Sequence, residues 1–239
     1  NKFSVYKNGV FIKKSEWFGS KTRSVLFYLI FKDFQHKLGI PIDELHNQFW
    51  PDASQKELIN RKNATLSRLR KVLRTADQKI VLIKNERYFF DWSNKTVKID
   101  VCEFMNNVKE GDYFDQTNSK NKMIAKFEKA INIYKNGITQ EYSYNWIDGK
   151  CSDMRERANY IAEKLIVEYI DRRDWAKIIA LSDVQLIWDE YDKDAIKSKI
   201  LALKNMDKLQ IAQKLLNDFN KKYYAEIGEE SNIKLHNYL

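Results

Sequence analysis

One helix-length segment limits the fold more than any other part of the chain. Between Gln55 and Arg74 the apolar residues Leu66, Leu69 and Leu73 fall three and four apart, which gives a single narrow apolar seam. The rest of the circumference carries Lys56, Arg61, Lys62, Arg68, Arg70, Lys71 and Arg74 against one acid, Glu57, with Asn60, Asn63, Thr65 and Ser67 between them. Such a helix docks along one edge and leaves a cationic, hydrogen-bonding face in water. Arg, Asn, Thr and Ser are the side chains that bond guanine and adenine edges and phosphates. The same pattern also fits an ordinary solvated basic helix, so its neighbours decide between the two readings.

Those neighbours form an ordered set. Phe3 to Ile12 reads as two short strands about Asn8-Gly9, a pair suited to the two positive φ values of a type I′ turn. Ser20 to Lys37 reads as a helix, with Ser20 as N-cap, a stripe of Val25, Leu26, Leu29 and Ile30, and Gly39 as its stop. Pro41 opens a short helix, Ile42 to Phe49, which Trp50-Pro51-Asp52 breaks before the basic helix begins. Beyond it, Lys79 to Lys84 and Arg87 to Trp92 read as a hairpin about Asn85-Glu86, and Thr96 to Val101 as one further strand. Strand pair, three helices and hairpin are the order of a winged helix, a helix-turn-helix variant with a β wing.

Charge sharpens this reading. Residues 1–99 hold 20 Lys and Arg against 9 Asp and Glu, whereas the other 140 hold 22 against 24. A basic module joined to a near-neutral one points to a polyanion for the first and to a different partner for the second. The second stretch is helical almost throughout: helices are expected near 101–109, 119–136, 152–172, 174–187, 191–205, 207–223 and 229–237, with a loop at Glu110 to Ser119. Leu209, Ala212, Leu216, Phe219 and Tyr223 form its clearest stripe. Two successive helix pairs are offset by about 34 residues, near the period of tetratricopeptide repeats. The expected fold is mainly α with a small β component: a winged helix-turn-helix domain over 1–99, then a tetratricopeptide-like (TPR-like) α-helical domain over 100–239.

Several classes find no support. The longest apolar run, Val25 to Phe31, is far short of the roughly 20 residues of a membrane span. Two cysteines without close spacing, Cys102 and Cys151, exclude a disulfide scaffold and fit a reducing compartment. No Gly-rich nucleotide loop and no His-Glu-x-x-His pattern occurs, and His36, His46 and His236 are scattered. The expectation is therefore no catalytic residue, no metal, no cofactor and no membrane contact. The chain opens on Asn1 rather than Met and is expected to be a piece of a longer protein.

The run from Phe49 to Leu73 resembles the signature of the SARP-type transcriptional activators of bacteria, and Ile99 to Phe104 resembles their junction between winged helix and helical domain. Trp146, Met154-Arg-Glu-Arg157 and Glu226 to Ser231 are similar to landmarks of the bacterial transcriptional activator domain. The resemblance implies an OmpR-like winged helix that reads the major groove of double-stranded DNA. It also implies direct repeats bound by two copies side by side as a homodimer or tandem, recruitment of RNA polymerase, and a cytoplasmic, nucleoid-associated location. By that likeness the recognition-helix positions are Asn60, Arg61, Asn63, Ala64, Thr65, Ser67 and Arg68, and the wing positions Lys84, Asn85 and Arg87. Lys21, Arg23, Arg70 and Lys71 join the wing as donors to the DNA backbone, and Asp52 and Ala53 lie in the loop that faces polymerase. Trp50 reads as a core aromatic. An alternative from another class is a helical-repeat scaffold whose winged helix binds protein; the seven-to-one basic excess over 56–74 favours DNA.

Overall fold

The computed structural model describes residues 4–33, 38–73, 81–91, 96–137 and 145–235. The chain separates into two compact units, Lys2–Glu103 with Gln140–Lys150, and Phe104–Thr139 with Cys151–Leu239.

In the first unit, β1 (Val5–Lys7) and β2 (Val10–Phe11) form the expected hairpin, with Asn8 and Gly9 at φ 51° and 78°. A 3-10 turn, Lys14–Trp17, leads to α1 (Ser20–Asp33). This helix is the centre of the unit: every residue from Thr22 to Ile30 is buried. Then come β3 (Ile40–Pro41), α2 (Ile42–Phe49) and α3 (Gln55–Leu73). The hairpin β4 (Val81–Lys84) and β5 (Arg87–Phe90) turns through Asn85 and Glu86 at φ 47° and 57°, and β6 (Val97–Ile99) follows. Two antiparallel three-stranded sheets result, ordered β2-β1-β6 and β3-β5-β4. α3 docks on α1 through Leu66, Leu69 and Leu73, and Tyr88 of β5 is fully buried. Leucine burial of this kind contributes about 1.5–3 kcal/mol per side chain.

β3 is an element beyond those expected; Pro41 is tolerated there because the strand is two residues long and, among the described residues, pairs with β5 alone. Its approach is set by Gly39, where φ is 70° and an added Cβ would lie 2.6 Å from the Phe89 ring. The expected ends Lys37, Arg74, Lys79 and Trp92 lie outside the described residues.

The second unit comprises most of α4 (Asp100–Gln116), then α5 (Lys120–Tyr134), most of α6 (Asn145–Asp171), α7 (Trp175–Trp188), α8 (Lys193–Asn205) and α9 (Leu209–Ile227). α4 and α6 each belong to both units by sequence. α7 and α9 start 34 residues apart, at 175 and 209. α8 packs on both. Ile196, Ile200, Leu203, Ala212, Leu216, Phe219 and Ile233 close one core cluster. The fold is mainly α with a small β component, a winged helix-turn-helix followed by an α-helical domain.

Three elements differ from those expected of the sequence. The loop at 110–119 is helix as far as Gln116, because Gly111 continues the buried line of Phe104 and Val108 and admits the Phe127 ring. Glu110, Asp112 and Asp115 also pair with Lys126, Arg157 and Lys164. α6 begins at Asn145, before Ser152, where Ile147 is 1% exposed. No helix spans 229–234: Gly228, at φ 80°, ends α9 in the left-handed conformation, and Ser231 and Ile233 are buried in a non-helical tail. Among the described residues, no helix is long and apolar enough to cross a membrane.

Asp100 starts α4 with a buried carboxyl. Oδ2 accepts the Ser4 N–H at 2.6 Å, and Oδ1 accepts the Val101 N–H at 2.7 Å. Burial nevertheless dominates and pushes its pKa up from 3.8 to about 6, against those hydrogen bonds and the Arg23 charge. The folded state thus holds the proton more tightly than the unfolded one. The associated stability is complete below about pH 4 and is lost as pH rises through 6. Between pH 7 and pH 4 the wild type should gain up to about 3 kcal/mol relative to Asp100→Asn. Urea midpoints of both proteins across that range measure the difference; parallel pH profiles would remove the assignment.

Candidate nucleic-acid interface

α3 owes its start to Ser54 and Glu57. The Ser54 N–H and Oγ–H both donate to Glu57 Oε2, at 3.1 and 2.8 Å, in the manner of a capping box. Glu57 Oε1 accepts from Arg61 Nη2 at 3.1 Å. Ser54 first, and then Arg61, hold this carboxyl below the usual glutamate range. The single acid of α3 is therefore committed to the helix start and to one arginine. Asn60, Arg61, Asn63, Ala64, Ser67, Arg68 and Lys71 are all exposed. Helical spacing of 100° per residue places Ala64, Lys71 and Asn60 opposite the Leu66–Leu69–Leu73 seam, with Arg68 and Arg61 to one side of them and Ser67 and Asn63 to the other.

The candidate residues do not all reach that face. Thr65 is 6% exposed, and its Oγ1 donates to the Arg61 carbonyl at 2.8 Å, so it belongs to the seam. Arg23 is 7% exposed within α1, its guanidinium over the Phe27 ring. Arg70 is half-buried and donates to the Val81 carbonyl, tying α3 to β4. Arg87 is turned to the chain before β3, donating from Nε to the Leu38 carbonyl at 2.8 Å and from Nη2 to the Gly39 carbonyl at 3.0 Å. Lys21 is exposed, but its Nζ donates to the Phe49 carbonyl at 3.1 Å and lies over Trp50. At the wing, Lys84 and Asn85 remain exposed.

Between α2 and α3, Asp52 is exposed and Ala53 half-buried, with the Ala53 N–H donating to the Trp50 carbonyl at 3.2 Å. Trp50 itself is 4% exposed, the core aromatic expected. Phe18, not among the expected site residues, is 48% exposed beside the 3-10 turn, and its ring lies 5.2 Å from Lys71 Nζ. The Trp17-Phe18-Gly19 run was its signal: of two adjacent aromatics entering a helix only Trp17 is buried.

The exposed set is chemically coherent. It combines carboxamides and a hydroxyl with guanidinium and ammonium groups on one rigid helix, with a second small donor group at a hairpin tip. Among the described residues, no three His, Cys, Asp or Glu side chains gather as metal ligands.

Comparison with solved structures finds Mycobacterium tuberculosis EmbR, solved in complex with a low affinity phosphopeptide. The match has a TM-score of 0.67 and 11% identity, over 99% of this chain and 64% of that one. The likeness is one of fold, and the chain spans 64% of the EmbR chain it matches. No protein-family model matches the sequence, and no curated protein matches it.

Proposed function

We propose that this chain is a sequence-specific, double-stranded DNA-binding transcriptional regulator of the SARP type. The observation that carries the reading is the outer arc of α3, where Asn60, Arg61, Asn63, Ala64, Ser67 and Arg68 stand exposed on a winged-helix scaffold. In the major groove, Arg68 and Arg61 suit guanine, Asn60 and Asn63 suit adenine, and Ala64 offers a methyl to thymine. Lys71, Lys84, Asn85 and Lys21 supply sequence-independent contacts to the phosphates, Lys21 after giving up its Phe49 carbonyl. The resemblance adds activation, tandem docking on direct repeats, and a polymerase-facing loop at Asp52 and Ala53. The TPR-like helical domain, 100–239, would serve self-association, signal input or polymerase contact in the cytoplasm. Neither domain is assigned a catalytic role.

The test is selection of a labelled genomic-fragment pool on the purified chain, followed by anisotropy titration of the enriched fragments at increasing salt. The expected result is an enriched motif, repeated about one helical turn apart, with log Kd rising steeply with log salt. Weak binding without an enriched motif would overturn the reading and favour a protein partner for the winged helix.

A further inference from the structure

Trp146, on the first turn of α6, stands among the residues of the winged-helix unit. Its ring meets Tyr28 of α1 edge to face at 5.0 Å and Phe31 at 6.3 Å. Tyr28 meets Phe49 of α2 edge to face at 5.5 Å, and Phe49 lies 5.9 Å from Trp50. Trp50 ends α2, its N–H donating to the His46 carbonyl at 2.8 Å, and opens the turn into α3. Four rings thus run in contact from α6 to the point where α3 is aimed. The second ring is clamped: Tyr28 Oη donates to Glu44 Oε1 at 2.8 Å, and Glu44 pairs with Lys32 at 2.9 Å. Edge-to-face pairs hold together beyond what their buried area contributes.

One feature separates Trp146 from an ordinary core tryptophan. Its Nε1–H is buried without a hydrogen-bond partner among the described residues, whereas Trp188 in the helical unit donates to the Lys135 carbonyl at 3.1 Å. An unmet buried donor regains its hydrogen bond whenever the ring leaves for water, so docking here is weaker than its contacts alone would make it. The same helix continues without a break to Asp171, most of it in the helical unit.

We infer that Trp146 is a positioning residue for the turn between α2 and α3, acting through Tyr28, Phe49 and Trp50. α6 is then the element by which the helical unit biases the recognition helix. The device is a docked and an undocked state of one side chain, with docking favouring the fixed α3.

Hydrogen exchange of the full chain tests this. Trp146→Ala should speed exchange of the amides between Trp50 and Leu58 about tenfold, with α7 to α9 unchanged. Trp146→Phe keeps a ring and removes the unmet donor, so it should leave those amides at or below the wild-type rate. Faster exchange confined to α1, or spread through α7 to α9, would overturn the inference. A second arm rests on the proposed DNA reading and uses the enriched genomic fragment. By reciprocity of linkage, saturating DNA should slow exchange at Trp146 to Lys150 in the wild type. DNA that binds without protecting those amides would also overturn the inference. If no fragment is enriched, the DNA reading fails by itself and the first arm decides the positioning role.

Discussion

Alanine at Gly111 is expected to destabilise the helical unit, although alanine is the better helix former by about 1 kcal/mol. The added Cβ would lie 2.3 Å from Phe127 Cε1 and 2.4 Å from Cδ1. Phe127 is fully buried at the centre of α5, so its ring has no free volume into which to turn. α4 is fastened to α5 by the Glu110–Lys126 ion pair and to α6 by ion pairs from Asp112 to Arg157 and from Asp115 to Lys164, which oppose a shift of the whole helix. Overpacking of this severity costs about 3 kcal/mol or more, which exceeds the gain in helix propensity. The urea midpoint of Gly111→Ala should fall, and Phe127→Leu in the same chain should restore part of the loss. A Gly111→Ala midpoint at or above the wild type would show that α4 and α5 are not held as closely as described.

This glycine also explains what the sequence concealed. Gly-Asp-Tyr-Phe-Asp-Gln reads as a turn by composition, because helix propensity speaks against Gly111 and a polar run surrounds it. Its place three residues after Val108 is a tertiary fact, supplied by the ring opposite. The start of α6 was hidden for the same reason: Gly149 and Lys150 look like a linker until Trp146 and Ile147 find partners. Elements with their own strong local signal were legible. Asn8-Gly9 defined its turn, Pro41 and Trp50 bracketed α2 within one residue, and the leucine seam located α3.

The candidate site was legible in outline and less so residue by residue. Composition gave a cationic helix, but whether a given cation faces outward depends on nearby carbonyls. Arg87 is diverted by Leu38 and Gly39, 49 and 48 residues earlier, and Arg70 by Val81, 11 residues later in the next described element. Thr65 could have been placed by spacing alone, since it precedes Leu69 by four residues and so falls on the seam. Arg23 could not, because its burial depends on α1 being enclosed on every face from Thr22 to Ile30.

Removing Asn63 and Arg68 together is expected to abolish sequence discrimination while leaving a salt-sensitive residue of binding. Each side chain that bonds a base edge contributes about 1–3 kcal/mol of discrimination. Five residues apart on one rigid helix they act nearly independently, so Asn63→Ala with Arg68→Ala should cost about 2–6 kcal/mol on the enriched sequence. Random DNA, held through phosphates, should lose far less. Arg68 is suited to this role because no acid among the described residues claims it, whereas Arg61 is shared with Glu57. Lys71→Ala provides the contrast: it should weaken enriched and random DNA alike and lower the salt slope by about 1. Anisotropy titrations of both variants on both DNAs separate the two effects. If the double variant lost affinity equally on enriched and random DNA, α3 would be an electrostatic cradle, and sequence would have to be read elsewhere.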